Sequence, residues 1–557
     1  MTRLAPWRLE TAAICDRPLN RFTPRQLPNL FSILLIVLLT TNYVVPFADL
    51  DFTWQIRTGE QIVRTGSLQP RDAFTYTIAG QQVPEFEWLY EVTLWSIWSV
   101  FGFGGLKLLK TILVATPFLL LSLRLRKEGV RWHGIALALL VAIFVLSQAW
   151  NLRPLYCTTI GLLLVSGWLH DTCQGRRPMG WWLPIVMLLW GNLHPGVITG
   201  QALLAGAIAW EWLNRWLKIN PPLDREACKR LTLIGGLALA ATWISPHPLE
   251  RLLYPFRPEL AHPIQRIFAE MQPLYQILWQ PPFTVVLVYL MAALVGIGVV
   301  LRFRHYRLWE VTLLLGLAGL ANVAARCVQD WMFVMLAVGI PHLAVLIKGI
   351  ASRGVLRTPA KRLVLRGERS CKRLLNTPLL RFQWYWPAAA LALLAAVSLV
   401  PALARRMPIQ NAAVWPVAAL DWLEVQGLRG RFFGPPDYGS YVGWRLGEGG
   451  QCYVDTRGFF FPPELLEDSH YVPQLGPEWR PRLQRILAYG TEYFLLETTG
   501  PRGKLWRTLQ PYLERPLYCD SQTVLLSAEQ VQCALSVIDR VTSATVMTND
   551  EARMTKE

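Results

Sequence analysis

The chain has 557 residues, of which 53% are hydrophobic and 17% charged, with 25 Trp; this excludes an ordinary soluble domain and matches a polytopic membrane protein. A formal net charge of +17 would suggest nucleic acid in a soluble protein, but in a membrane protein it asks which loops carry the excess. The nine Cys form no CxxC pair and no Cys/His spacing, so nothing points to zinc or a disulfide framework.

In chain order, a basic N-terminal arm (1–28) is followed by the apolar run LFSILLIVLLTTNYVVPF. It starts too late and runs too long for the h-region of a cleavable signal peptide, so it is expected to remain as a span. Runs of about 17 to 25 residues are predicted to cross at 29–48, 105–125, 134–150, 154–170, 181–197, 198–213, 231–246, 283–301, 309–325, 331–350 and 386–404. The segment EFEWLYEVTLWSIWSVFG (85–102) is aromatic and amphipathic, and is expected to be interfacial or re-entrant.

With a cytoplasmic N-terminus, the arm, RLRKEGVR, QGRRP, the loop from Arg215 to Arg230, RFRHYR and the stretch from Lys348 to Arg381 all fall inside. The first outer loop, 49–103, is acidic, with Asp49, Asp51, Glu60, Asp72, Glu85, Glu87 and Glu91 against Arg57, Arg64 and Arg71. This is the segregation that the positive-inside rule requires.

After residue 404 the chain changes character. RFFGPP, QCYVDTRG, TEYFLLETT and PLYCDSQTVLLS read as strands, alternating with the helical patterns PELLEDSHYV, EWRPRLQRILAYG and GKLWRTLQPYL. The expected fold is therefore an α-helical polytopic membrane protein with about eleven transmembrane helices in 29–404 and an extracytoplasmic α/β domain in 405–540. A loose tail is expected over 541–557. Cys452 and Cys519 fall in predicted strands and are expected to be buried thiols rather than a disulfide.

This topology gathers polar residues at one face. Asp49 and Asp51 follow the first span; Arg153 sits in WNLRP, His194 in WGNLHPG, His247 in SPHPLERLLYPF, and Arg326 and Asp330 in AARCVQDW. Taken singly, each could be a snorkelling anchor, a helix cap or half of a structural pair, and Trp54, Phe74, Tyr76, Phe86 and Trp88 could form an interfacial aromatic belt. Their one-sidedness favours a site, since anchors should appear on both faces.

Such a set suits transfer of a sugar from a polyprenyl phosphate or diphosphate at the membrane edge. Arg153 and Arg326 would hold phosphate, and a carboxylate, Asp49 or Asp51, would take the proton of the acceptor hydroxyl. Alternatively the two aspartates hold a divalent cation, Mg or Mn, through oxygen ligands. The partners implied are a lipid-linked sugar, a glycan, lipid or protein acceptor and membrane lipids, with no nucleic acid. Rival readings are a transporter or flippase for a lipid-linked or polar substrate, and a non-catalytic envelope assembly protein.

The run DLDFTWQIRTGEQIVRTGSLQPRDAFTYTIAGQQVPEFEWLYEV resembles the first outer loop of a group of bacterial membrane proteins related to the GT-C glycosyltransferase superfamily. WNLRPLY, WGNLHPGVITG, SPHPLERLLYPF, AARCVQDWMFVMLAVGIP and DYGSYVGWRLGEGGQCYVDTRG resemble its later motifs in the same order. The resemblance implies a plasma (inner) membrane enzyme that inverts the anomeric centre of a lipid-phosphate sugar. It also implies a catalytic aspartate at 49 or 51 and brings Asp455 and Arg457 of CYVDTRG toward acceptor or donor, and the full set expected near the substrates is Trp54, Glu87, Arg153, His194, His247, Arg326, Asp330, Asp455 and Arg457. One departure is Gln55 after Trp54, where the group has histidine. For Asp455 and Arg457 an ion pair closing the outer domain onto the membrane body is an equal alternative.

Overall fold

In a computed structural model of the chain, the described residues are 29–554 apart from 48, 69, 147–150, 177–178, 257–267, 278–281, 353–384 and 400–414. The N-terminal arm and most of the basic stretch ending at Arg381 lie outside them.

Among the described residues, each of the eleven apolar runs holds a helix. In chain order these are α1 (Asn29–Val44); the second half of α3 (Trp88–Lys127), which follows α2 (Asp51–Thr65); α4 (Trp132–Leu146), α5 (Leu155–Cys173), α6 (Leu183–Leu193), α7 (Val197–Leu217) and α8 (Arg225–Ala241). After the short α9 (Pro248–Leu253) come α10 (Pro282–Leu301), α11 (Leu308–Val323), α12 (Val328–Ser352) and α13 (Tyr385–Leu399). Three of the described helices, Trp88–Lys127, Phe283–Leu301 and Ala325–Gly349, are long and apolar enough to cross a membrane by length and composition. Eleven crossings are thus not established. Several helices are cut short by local chemistry: His194, Pro195 and Gly196 separate α6 from α7 after 11 residues.

The apolar surface follows helical spacing. Phe283, Val286, Leu290, Leu294, Ile297 and Leu301 of α10 are all exposed, forming a stripe of large apolar side chains as a lipid-facing helix does.

The first loop is more ordered than its charge suggests. Phe52, Gln55, Ile56, Gly59 and Ile62 form the buried face of α2, and Gly66, at φ 67°, ends the helix by donating to the Ile62 carbonyl at 2.8 Å. That face lies on α3 so closely that a Cβ on Gly59 would sit 2.2 Å from the Glu91 carbonyl oxygen. The segment 85–102 is helical from Trp88 and breaks at Gly102 (φ 56°, ψ −148°) before the apolar half of α3 begins.

The C-terminal domain carries α14 (Val417–Gln426), β1 (Gly430–Phe433), α15 (Pro436–Leu446), β2 (Gly450–Cys452), α16 (Pro463–Tyr471), α17 (Trp479–Ala488), β3 (Tyr493–Glu497), α18 (Lys504–Leu509), β4 (Tyr518–Cys519), β5 (Thr523–Ser527) and α19 (Ala528–Met554). The sheet order is β2-β1-β3-β5-β4, with β1 parallel to β2 and β3, and β5 antiparallel to β3 and β4.

Three expectations are corrected here. PLYCDSQTVLLS is a hairpin and not one strand, because Asp520 accepts the backbone N–H groups of Gln522 and Thr523 at 2.7 Å and turns the chain. Cys519 lies on the edge strand that results and is exposed, whereas Cys452 is buried. The tail expected to be loose from 541 continues α19 to Met554: Val531 and Ala534 anchor its first turns, and extending a nucleated helix costs little.

The first loop and the C-terminal domain form one joint. Thr75 bridges to Cys452 in parallel, with Cys452 N–H donating to the Phe74 carbonyl (3.0 Å) and Tyr76 N–H to that of Cys452 (3.1 Å). Phe52 packs on Trp415 and Trp444, and Phe103 also meets Trp444. Phe74 and Phe86 are buried, and Tyr76 packs on Tyr453. These aromatic residues are internal joints and not an interfacial belt.

Candidate active site

Asp49 and Asp51 stand at the entrance to α2, where the Asp51 backbone N–H donates to Asp49 Oδ1 at 3.0 Å. This local turn sets the two carboxyls side by side. Arg153, from the turn between α4 and α5, reaches both: its Nε binds Asp49 and its Nη2 lies 3.3 Å from Asp51 Oδ2. Its Nη1 binds a third carboxylate, Glu270, from the turn Ala269–Met271. One guanidinium thus serves three acids. The side chains remain partly open, with Arg153 26%, Asp51 24% and Glu270 32% exposed.

Thr456 of the C-terminal domain stands beside the cluster, its hydroxyl 2.9 Å from Ser440 Oγ, which also accepts the Thr456 backbone N–H at 3.0 Å. Burial, and then the neighbouring Asp49, push the Asp51 carboxyl up to about 8, while Arg153 and Thr456 pull the other way. Burial opposes charge on Arg153 as well, but Asp49, Glu270 and Asp51 outweigh it and hold the guanidinium charged. Glu270 is held below the usual carboxylate range, burial being outweighed by Arg153 and Arg326.

A second group adjoins the first. Gln55 Nε2 donates to Glu87 Oε2 at 3.2 Å, and Glu87 Oε1 lies 3.6 Å from His194 Nε2. Gly196 N–H donates to His194 Nδ1 at 3.1 Å, so Nδ1 is an acceptor and the ring proton sits on Nε2. Thr158 Oγ1 is 2.6 Å from the same Nδ1. Burial and then the Arg326 charge push His194 down to about 3, leaving it neutral. Burial, Glu85 and Asp51 push Glu87 up to about 8. Trp88 Nε1 donates to Asn192 Oδ1 at 2.7 Å, tying the start of α3 to the end of α6.

The sequence-predicted residues therefore divide. Asp49, Asp51 and Arg153 are in direct contact, and Glu87 and His194 adjoin them, with the Arg326 charge acting on Glu87, His194 and Glu270. Trp54 is on α2 with its Nε1 buried and without a hydrogen-bond partner. Asp330 is buried against Thr159 (2.5 Å) at the start of α12. His247 pairs within its own turn, 3.3 Å from Glu250. Asp455 and Arg457 form a bidentate pair that also binds Asp72 of the first loop, with all three side chains at or below 2% exposure. These two residues sit in a sealed clamp between loop and domain.

Sequence reasoning missed Glu270, Thr456 and the role of Gln55. Glu270 lies in a stretch without periodicity, and Thr456 was hidden between the two charges of DTR. Gln55 carries a carboxamide where an imidazole was expected, and uses it to hold Glu87.

The carboxyls of Asp49 and Asp51 face a guanidinium. Among the described residues no group of three or more His, Cys, Asp or Glu is set to hold a metal ion. As arranged, with Arg153 bound between them, they do not fit a divalent cation.

No family model matches the chain, and no curated protein matches it. Among solved structures it is similar to the crystal structure of the Archaeoglobus fulgidus oligosaccharyltransferase tethered with an acceptor peptide containing the NVT sequon via a disulfide bond. The TM-score is 0.53 at 10% identity, covering 84% of this chain and 69% of that one. At this identity the likeness is one of fold. It agrees with the mostly helical body and C-terminal sheet-bearing domain expected from the sequence.

Proposed function

We propose that the chain is a membrane glycosyltransferase that moves a sugar from a polyprenyl-phosphate or diphosphate donor to an extracytoplasmic acceptor, with Asp51 as general base. The observation that carries this reading is the cluster just beyond the first apolar helix, where the partly open Asp49, Asp51 and Glu270 carboxyls share the single Arg153 guanidinium, and where burial and Asp49 raise the proton affinity of Asp51. A base whose affinity for protons lies near the working pH is suited to proton transfer. The fold likeness to an oligosaccharyltransferase supports the reaction class.

The acceptor hydroxyl donates to Asp51 and attacks the anomeric carbon from the face opposite the phosphate. The bond from that carbon to the phosphate oxygen breaks, its electron pair leaves with the phosphate, and the acceptor proton passes to Asp51. The configuration inverts. Charge on the departing phosphate is met on the other side of the cluster, where Arg326, the neutral His194 and the Glu87 carboxyl supply positive charge and N–H or O–H donors. Arg153, shared by three carboxyls, orients the base; this departs from the role in phosphate binding expected of it. On this reading the N-terminus is cytoplasmic and the site opens on the outer face of a plasma (inner) membrane.

The test is Asp51→Asn in membranes, assayed for transfer from radiolabelled polyprenyl-phosphate sugars to lipid, glycan and protein fractions. Loss of a general base predicts a fall of about 100-fold or more with the protein still folded and inserted. Full transfer by a folded Asp51→Asn variant would overturn the reading in favour of a transporter or assembly protein.

A further inference from the structure

We propose that Thr158 and Trp190 are positioning residues for His194, holding its ring as the Nε2-protonated tautomer so that it meets the donor phosphate as a hydrogen-bond donor that cannot reverse. The role toward phosphate rests on the proposed function; the placement of the proton rests on contacts within the fold.

Three helices supply the relay. Thr158 lies in the first turns of α5, just beyond Arg153, Trp190 in the last turn of α6, and His194 in the break before α7. An indole Nε1 can only donate, so Thr158 Oγ1 accepts from Trp190 Nε1 at 3.2 Å. The Gly196 N–H, also a donor only, meets His194 Nδ1 at 3.1 Å, so that nitrogen carries no proton. Thr158 Oγ1, 2.6 Å from the same Nδ1, therefore gives it the hydroxyl hydrogen. The other tautomer and the imidazolium would each set a ring N–H against the Gly196 N–H, and both are excluded. The ring hydrogen is on Nε2, which lies 3.6 Å from Glu87 Oε1. That is longer than a hydrogen bond, so Glu87 does not consume the donor.

Shape holds the relay as firmly as polarity does. The Trp190 indole is enclosed between Gly161 of α5 and Gly200 of α7, where a Cβ on either glycine would overlap its six-membered ring. A Cβ on Gly196 would overlap Thr158 Oγ1. In WGNLHPG, Trp190 thus begins the relay, His194 ends it, and Gly196 leaves room for the hydroxyl between them. Trp190 and Thr158 are each 2% exposed, whereas the His194 side chain keeps 16%. The fixed parts are inside and the donating end is reachable, so the N–H needs no reorganisation when charge develops on the phosphate.

The experiment uses the full chain, labelled with nitrogen-15 at histidine, in lipid nanodiscs, with the His194 signals assigned by their loss in His194→Asn. Wild type is compared with Thr158→Val, Thr158→Ser, Trp190→Phe and Asp51→Asn by nitrogen NMR at neutral pH. Transfer from the panel of polyprenyl-phosphate sugars is measured in parallel. Wild type is expected to show one tautomer, with Nε2 protonated and the Nδ1 signal displaced as that of a hydrogen-bond acceptor. Thr158→Val should move the Nδ1 signal toward that of an unbonded nitrogen and lower kcat by about threefold or more. The donor KM should change little, because the N–H is aimed at charge that appears only as the phosphate departs. Thr158→Ser should restore both readouts. Trp190→Phe, which keeps a ring in the slot but frees the hydroxyl to turn, should move the signal the same way by less, and stands in if Thr158→Val fails to fold. A wild-type spectrum in folded Thr158→Val would overturn the inference, as would an altered spectrum with wild-type transfer; either result, with Asp51→Asn inactive, leaves the proposed function standing. Full transfer by Asp51→Asn would instead overturn the function, while the spectra would still report whether the hydroxyl holds the ring.

Discussion

Of the arginines that are ringed by carboxyls, Arg457 and Arg153 join the first loop to another part of the chain. Around Arg457 there are two acids, Asp72 and Asp455; the geometry is bidentate, the Phe74 ring lies 4.8 Å from the guanidinium, and water is shut out. Around Arg153 there are three, Asp49, Asp51 and Glu270, each partly open to solvent. Composition alone does not separate them. The sealed ring is a clamp with its cation fully enclosed, whereas the open ring has more acids than its cation can satisfy, and one of them, Asp51, is left to hold a proton near neutrality. An acid surplus together with access to water marks the site.

The largest effect expected from breaking this comparison is on stability. Arg457→Met removes the cation from a ring that cannot rehydrate, leaving Asp72 and Asp455 buried together. The expected loss is about 3–5 kcal/mol, measured as a fall in thermal unfolding temperature of the purified protein, with transfer lost along with the docked domain. Arg153→Gln should behave in the opposite sense: water reaches its ring and Asp51 can take up a proton, so the loss in stability should be clearly smaller than for Arg457→Met. Its main consequence should be chemical. Arg153 lowers the proton affinity of Asp51, so without it the rising limb of the pH–rate profile, expected near pH 8 in the wild type, should move alkaline. Equal destabilisation by the two variants would mean that both rings are structural.

How much of this was legible in the sequence follows the same division. Apolar runs such as 283–301 announce helices because burial in lipid demands an uninterrupted length, and each of the eleven holds a helix among the described residues. Asp49, Asp51 and Arg153 were found because charges at the ends of apolar runs are costly without a purpose. The α2 helix was overlooked because its charges hid the stripe of Phe52, Ile56, Gly59 and Ile62, although Gly66 marks its end. Asp72, some 385 residues from Arg457, showed no sign of its partner, since a contact over that separation is set by the docking of a domain and not by any local pattern. Thr456 escaped for a different reason: a single hydroxyl is unremarkable until its two neighbours are seen to be locked.

The most gradual expected effect, spread over several pH units, concerns Glu87, which adjoins the open ring. Its carboxyl is raised to about 8 in the folded protein, chiefly by burial, whereas in an unfolded chain it would titrate near the ordinary glutamate value. Between those two pH values the folded state binds a proton that the unfolded state does not, so stability falls as pH rises through the interval and levels off above it. Glu87→Gln keeps the neutral shape and the acceptor for Gln55 Nε2 but removes the titration. The unfolding free energy of the variant relative to wild type, followed by thermal unfolding, should therefore climb from pH 5 to pH 8, by at most about 1.4 kcal/mol per pH unit, and stay constant beyond. The same comparison at the clamp, with Asp455→Asn, should show a large loss of stability at neutral pH, because that carboxyl is bound to Arg457 and the amide cannot replace its charge. A flat difference for Glu87→Gln across pH 5 to 8 would place that carboxyl in an environment where it ionises as freely as in water, and would remove the neutral donor assigned to the phosphate side of the site.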